Sequence, residues 1–191
     1  ERIEAARARV AECGLPLIYA NMVGGQDELV FDGASFALDA TGGLAAQYPA
    51  FTEDLYLVEL DAGTPRGAIL PLPGLEASVY QALVLGVRDY VGKNGFPGAI
   101  LGLSGGIDSA LTLAVAVDAL GAGKVKAVMM PSEFTASMSL EDAEKMAENL
   151  GVQYDVQPIK HMFDTFLAEL SDEFDDLPFD PTVRASIEAD L

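Results

Sequence analysis

With 191 residues, 50% of them hydrophobic, the chain can bury one full core or two partial ones, and charges, Gly and Pro interrupt every apolar run before the ~20 residues that span a bilayer. Thirty acidic residues against eleven basic ones give a net charge of −19 at pH 7, which repels nucleic-acid backbones and anionic membrane surfaces and argues against either as a partner. The acidic excess is spread along the chain, so a small anionic ligand would have to be held by backbone amides, a helix N-terminus or a metal ion.

The chain starts at Glu1 rather than Met, and Glu1-Arg-Ile-Glu-Ala-Ala-Arg-Ala-Arg9 has a mid-helix pattern, which predicts a piece of a longer protein. That helix is expected to stop at Gly14 and Pro16. Cys13 is the single cysteine, which excludes an internal disulfide and a cysteine-rich metal site, fits a reducing compartment and predicts a buried or half-buried thiol. Strands are expected at Leu17–Val23, Glu28–Phe31, Ala34–Leu38 and Leu55–Leu60, with turns at Gly24–Asp27 and Asp39–Gly43. Residues 1–60 therefore have the pattern of the tail of an α+β or sandwich domain. Asp61-Ala-Gly-Thr-Pro-Arg-Gly67, with Pro71 and Pro73, is turn-rich and marks the expected linker between two packing units.

Beyond the linker the pattern changes. Glu76–Val91 repeats apolar residues at helical spacing, Gly98–Leu103 has the character of a buried strand, and Ile107–Leu120 is a helix closed by Gly121. Val125–Met130 is a second strand, and Ser139-Leu-Glu-Asp142 has the form of a capping box opening a helix to Leu150, with Gly151 as its stop. A third strand over Tyr154–Ile159 and a helix from Lys160 to Leu170 complete the alternation, which predicts an α/β fold with a parallel, doubly wound sheet.

The stretch between the first strand and helix of this second part supports two chemistries. As Gly102-Leu-Ser-Gly-Gly106 it fits G-x-S-x-G, the turn that presents a nucleophilic serine in α/β-hydrolases. Asp118 or Asp155 followed by His161, the only histidine, satisfies the required chain order. Against this, the loop follows the first strand of its domain, and no histidine precedes residue 161 to form an HGGG-type oxyanion loop. As Ser104-Gly-Gly-Ile-Asp-Ser109 the same residues form an anion cradle. Gly105 and Gly106 let their amides approach a phosphate, the helix beginning at Ile107 offers free amides and its dipole, and Ser104 and Ser109 add hydroxyls. Asp108 would repel phosphate unless it held Mg²⁺ between them. A metal-bridged triphosphate thus accounts for each residue of the motif, whereas a nucleophile accounts for one. Neither a Walker A loop nor a dinucleotide G-x-G-x-x-G fingerprint is present. A purely structural Gly-rich turn is the remaining alternative.

Ser104-Gly-Gly-Ile-Asp-Ser109 resembles the signature of the ATP pyrophosphatase (PP-loop) group, which includes GMP synthetase, asparagine synthetase, tRNA thiolases and NAD⁺ synthetase. The flanks Tyr80–Val91, Lys93–Phe96, Gly102–Leu111, Val128–Ser132, Ser139–Ala143 and Ala147–Leu150 resemble glutamine-dependent NAD⁺ synthetase within that group. Independently, Leu15–Phe36 resembles the end of that family's nitrilase-type glutaminase domain. The resemblance covers residues 1–170, while 172–191 carry little family pattern.

This resemblance implies the C-terminal part of a nitrilase-like α/β sandwich over 1–66, followed by the N-terminal part of a Rossmann-like PP-loop domain over 67–191. It implies a ligase that adenylates the nicotinate carboxylate of deamido-NAD⁺ with ATP and then uses ammonia from glutamine to displace AMP. Carried over residue by residue, Gly102, Leu103, Ser104, Gly105, Gly106, Ile107, Asp108 and Ser109 bind ATP, Asp108 is a Mg²⁺ ligand, and Met130–Ser132 lie near the adenosine. The family's Glu-Lys-Cys glutaminase triad lies upstream of the matched region, so Cys13 matches no motif and this chain holds no glutaminase catalytic residue. The resemblance also implies a cytoplasmic location and a homo-oligomer in full-length form, with deamido-NAD⁺, ATP and glutamine or ammonia as the small-molecule partners. A non-catalytic fragment or remnant retaining only the fold is the contrasting expectation.

Overall fold

The computed structural model describes residues 1–170. It divides into two compact units, Glu1–Pro97 and the residues from Gly98 onward. In chain order the first unit holds α1 (Arg2–Cys13), β1 (Leu17–Tyr19), β2 (Val23–Gln26), β3 (Leu29–Asp32), β4 (Phe36–Leu38), β5 (Leu44–Gln47), β6 (Glu59–Asp61), β7 (Thr64–Arg66) and α2 (Leu75–Lys93). The second holds β8 (Ala99–Gly102), α3 (Ile107–Leu120), β9 (Val125–Met129), α4 (Ser137–Leu150), β10 (Gln153–Val156) and α5 (Lys160–Glu169), with a short 3₁₀ turn at Ala122–Lys124.

In the first unit an antiparallel sheet of order β1-β4-β5 separates two small cores. Ile3, Ala6 and Val10 recur at helical spacing along α1 and meet Phe36 and Leu38 of β4, with Leu17, Tyr19 and Leu44 around them. Burying Phe36 and Leu38, at 2% and 0% exposure, contributes on the order of 1.5–3 kcal/mol each. Strand alternation turns Ala37 to the opposite face, where it joins Ala46 and Tyr48 beneath Tyr56 and Val58. Helix α1 ends at Gly14, whose φ of 66° lets its amide close onto the Val10 carbonyl. The Cys13 thiol at that end is exposed, not buried or half-buried as expected.

Local expectations also differ from the structure of this unit, for physical reasons. Gly24, Gly25 and Gln26 belong to β2 rather than to a turn, and the chain reverses instead at Asp27, which takes φ 52°. Leu55–Val58 are apolar throughout but form no ladder: Tyr56 and Val58 pack on the Ala37–Ala46–Tyr48 core while Leu55 stays 95% exposed, and only Glu59–Asp61 at the end of that run is a strand. The first part of the stretch expected as linker forms the β6–β7 hairpin, turned by Ala62 and Gly63 at φ 47° and 85°, the geometry of a tight hairpin with positive φ at both centres.

Helix α2 packs on the β2–β3 hairpin. The Asp89 carboxylate accepts the Gly25 amide at 2.7 Å, and the Lys93 ammonium donates to the Gly25 carbonyl at 2.5 Å. Asp89 and Lys93 also pair with each other at 3.2 Å, one helical turn apart. Burial pushes the Asp89 carboxyl up, but the Gly25 amide and then Lys93 outweigh it and hold it below the usual carboxylate range.

In the second unit the strands form a parallel sheet of order β10-β9-β8, with β9 in the centre. Each crossover moves one strand in the same direction, through α3 and then α4. Val125, Ala127 and Met129 turn to one face and pack against Leu113 and Ala116 of α3 and Ala143 and Ala147 of α4. Lys126 and Val128 turn to the other face, where Lys126 pairs with Asp155 of β10 at 2.5 Å and its ammonium lowers the Asp155 carboxyl. Helix α4 begins at Ser137, so Ser139 lies inside the first turn rather than capping it. The expectation for 172–191 lies outside the described residues. Among the described residues, no helix is long and apolar enough to cross a membrane.

Candidate functional site

The site is the turn from β8 into α3, at the carboxyl end of the parallel sheet, where open α/β sheets present their ligand crevices. Leu103 anchors it. Its side chain is 2% exposed within the sheet–helix core, and its amide donates to the Val128 carbonyl at 2.9 Å. This fixes the strand end while leaving Ser104 and Gly106–Asp108 exposed.

Ser104 and Ser109 tie the loop to the first turn of α3. Their hydroxyls lie 3.0 Å apart, the Ser104 amide donates to the Ser109 Oγ at 3.1 Å, the Ser109 hydroxyl donates to the Gly106 carbonyl at 3.0 Å, and the Gly106 amide meets the Ser104 Oγ at 3.3 Å. Gly106 occupies the N-cap in extended geometry, with no side chain capping α3. The first-turn amides therefore face the loop without a protein side-chain partner, which favours negative charge there.

Gly105 has φ 80°, a conformation glycine adopts without strain. A Cβ there would overlap the Ser139 carbonyl oxygen and sit 2.7 Å from the Ser139 Cα, so the loop lies directly against the first turn of α4. Sequence reasoning did not include Ser139 in the site; the glycine pair was its only signal.

Beside the loop is a cavity of about 270 Å³, lined by Gly102, Leu103, Ser104, Val128, Met129, Met130 and Thr135. The Met130 side chain is 51% exposed and reaches over Gly102, where a Cβ would lie 3.3 Å from its terminal methyl. Ser132 follows on a turn closed by Thr135, whose Oγ1 accepts the Ser132 amide at 2.9 Å. Thr135 also escaped the sequence reading. Its signal was the Ser132-x-x-Thr135 spacing, which allows a side-chain-closed turn.

Gly102, Leu103, Ser104 and Met130 thus share one cavity wall, while Gly105, Gly106, Ile107, Asp108 and Ser109 form the outer loop and the first helical turn. Asp108 is exposed on that turn, and its backbone carbonyl accepts the Thr112 hydroxyl. Among the described residues no group of three or more His, Cys, Asp or Glu side chains could hold a metal unaided. The triad pattern does not assemble around Ser104: its hydroxyl is engaged with Ser109 and Gly106, Asp155 pairs with Lys126, and His161 is exposed on α5.

Comparison with known proteins gives two family matches. The NAD synthase family matches residues 79–188 and the carbon-nitrogen hydrolase family residues 4–68. A glutamine-dependent NAD(+) synthetase of Acinetobacter baylyi is 46% identical over 184 residues, covering 95% of this chain and 34% of that protein. The enzyme of the same name from Rhodobacter capsulatus is 50% identical over 165 residues, covering 83% and 30%. Among solved structures, the glutamine-dependent NAD⁺ synthetase of Acinetobacter baumannii in complex with adenosine diphosphate superposes with a TM-score of 0.87 at 44% identity, covering 95% of this chain and 35% of that one. The chain spans about a third of the length of the curated relatives it matches.

Proposed function

We propose, from the premise that this chain belongs to the NAD synthase family, that the loop Gly102–Ser109 binds the phosphates of ATP in a protein that amidates deamido-NAD⁺ to NAD⁺. The observation that carries the reading is the N-terminus of α3, which no side chain caps, facing a loop in which Gly105 and Gly106 carry no side chain to keep an anion away. In this reading Ser104 and Ser109 turn their hydroxyls to phosphate oxygens, and Met130 borders the adenosine in the cavity beside Gly102. The nicotinate carboxylate attacks the α-phosphorus, the bond to the β-phosphate breaks, and pyrophosphate leaves. Ammonia released from glutamine then attacks the acyl carbon and AMP leaves. Residues 1–66 form the end of the glutaminase part, and 67–191 the start of the synthetase part, with α2 as its first helix. The full-length protein is taken to be cytoplasmic and a homo-oligomer.

Mg²⁺ fits the residues present. An exposed carboxylate on the first turn of the helix, without companion ligands, suits an ion that keeps most of its waters and takes its remaining ligands from phosphate. Asp108 would hold it, and the ion would neutralise phosphate charge. In the full-length protein, Asp108→Asn should lower ATP-dependent turnover by roughly ten- to a hundredfold, as losing a charged partner does, and leave glutamine hydrolysis nearly unchanged. Equal losses in the two half-reactions would count against the metal role.

Ser104 separates the cradle from a nucleophile. Loss of one hydrogen bond to a charged group costs about 1.5–3 kcal/mol, so Ser104→Ala should weaken turnover by roughly ten- to a hundredfold and leave measurable activity. Losing a nucleophile would bring damage nearer a millionfold. A fluorophosphonate probe, which labels activated serines, should leave Ser104 unmodified. Covalent labelling there would overturn the cradle.

A further inference from the structure

Gly25 sits on β2 with its amide and carbonyl both bonded to side chains of α2, at 2.7 Å to Asp89 and 2.5 Å from Lys93. Strand β2 pairs with β3 alone in a two-stranded sheet, so its outer edge would otherwise present unpaired backbone groups. The helix approaches closely because neither partner carries a side chain at the contact. A Cβ on Gly25 would lie 3.2 Å from both the Gly86 Cα and the Asp89 Cβ, and a Cβ on Gly24 would lie 3.2 Å from the Asp89 carboxylate. One charged pair, spaced a helical turn apart, thus grips both hydrogen-bonding groups of one residue.

The two sides of this grip belong to different families. Gly25 falls within residues 4–68, matched to carbon-nitrogen hydrolases, whereas Asp89 and Lys93 fall within 79–188, matched to NAD synthases. From Lys93 the chain runs on into β8 and the loop at Gly102–Ser109. We infer that Asp89 and Lys93 are positioning residues that hold the first helix of the ammonia-consuming part on the hydrolase-like part, and so couple glutamine hydrolysis to amidation. This rests on the function proposed above. Main-chain recognition suits the task, because a two-point grip fixes the helix in both translation and rotation, where a single bond would leave it free to pivot.

The test is made on the full-length protein, comparing Asp89→Ala and Lys93→Met with wild type. Three quantities are measured: glutamate released from glutamine, NAD⁺ formed from external ammonia, and NAD⁺ formed per glutamate released. Each variant should keep the first two within about twofold of wild type, while the third falls at least about fivefold, the lower end of ordinary coupling between sites. Asp89→Asn keeps an acceptor for the Gly25 amide and should recover part of that ratio, which a general loss of packing would not allow. Parallel loss of all three quantities would make the grip merely structural and overturn the inference. So would an unchanged ratio, or a wild-type ratio already as low as the variant's. A wild-type protein that forms no NAD⁺ from deamido-NAD⁺, ATP and ammonia would instead overturn the proposed function itself.

Discussion

Replacing Gly105 with alanine in the full-length protein is expected to lower ATP-dependent turnover by about a thousandfold. Two costs combine. At φ 80° an alanine is strained by about 1–3 kcal/mol. Its Cβ would also overlap the Ser139 carbonyl, forcing the loop away from α4 at a further cost of about 1–3 kcal/mol. Either movement displaces the loop from the position in which it is proposed to receive phosphate. Gly121 is the matched control, since its φ is 83° but nothing lies within 4 Å of an added Cβ. Gly121, at φ 83° and ψ 145°, should therefore show strain without overlap on substitution by alanine, about 1–3 kcal/mol of stability, with turnover little changed. Steady-state assays with ATP varied decide the matter. Equal losses in the two variants would mean that the contact with Ser139 does not shape the site.

The second large effect falls on stability. A Cβ at Gly98 would overlap the Lys124 carbonyl oxygen, a backbone atom that no rotamer change can move aside. Gly98 immediately precedes the register pair Ala99–Val125, so relieving the overlap means pushing apart β8 and β9 where they begin. Gly98→Ala is expected to cost about 3 kcal/mol, the upper end for overpacking. For a chain of 191 residues that corresponds to a fall in Tm of roughly 6–12 °C. Gly123, with nothing within 4 Å of an added Cβ and an ordinary φ, should tolerate alanine with a change of about 0.5 kcal/mol or less. Thermal unfolding of the two variants gives the comparison, and a Gly98→Ala protein melting with wild type would show that β8 has room to shift.

Much of the second unit was legible in the sequence because local pattern and tertiary role agree there. The buried β9 alternates Val125, Ala127 and Met129 toward one face, and α3 opens and closes at glycines where the chain must turn. The failures occur where the deciding contact is distant in sequence. Gly24-Gly25 looks like a turn because glycine favours turns, yet these residues are glycines because α2 lies against them. Thr64-Pro65-Arg66 has no strand signal because of its proline, yet Pro65 pairs opposite Leu60 in a two-stranded ribbon that leaves an edge free of the missing donor. Leu55-Tyr56-Leu57-Val58 has the apolar character of a strand but no partner strand, and composition alone cannot supply one. Within the site, the residues contiguous with the loop were visible as a motif. Thr135 and Ser139 were not, because their part in it comes from the crossover that brings the start of α4 to the end of β8.

The grip on Gly25 has a consequence for how the protein can change over generations. Asp89 and Lys93 recognise main-chain atoms, which every residue carries alike, so no substitution at position 25 can compensate for a change at either of them. Where two side chains meet, a damaging mutation can be answered by a second one across the contact, and the pair then varies together. Here that exchange is closed. The helix side can lose its charges, and the strand side can only acquire bulk that pushes the helix away. Lineages carrying this contact would show an unvarying glycine and an unvarying charged pair without correlated change between them, and methods that infer proximity from paired variation would pass over the contact between β2 and α2.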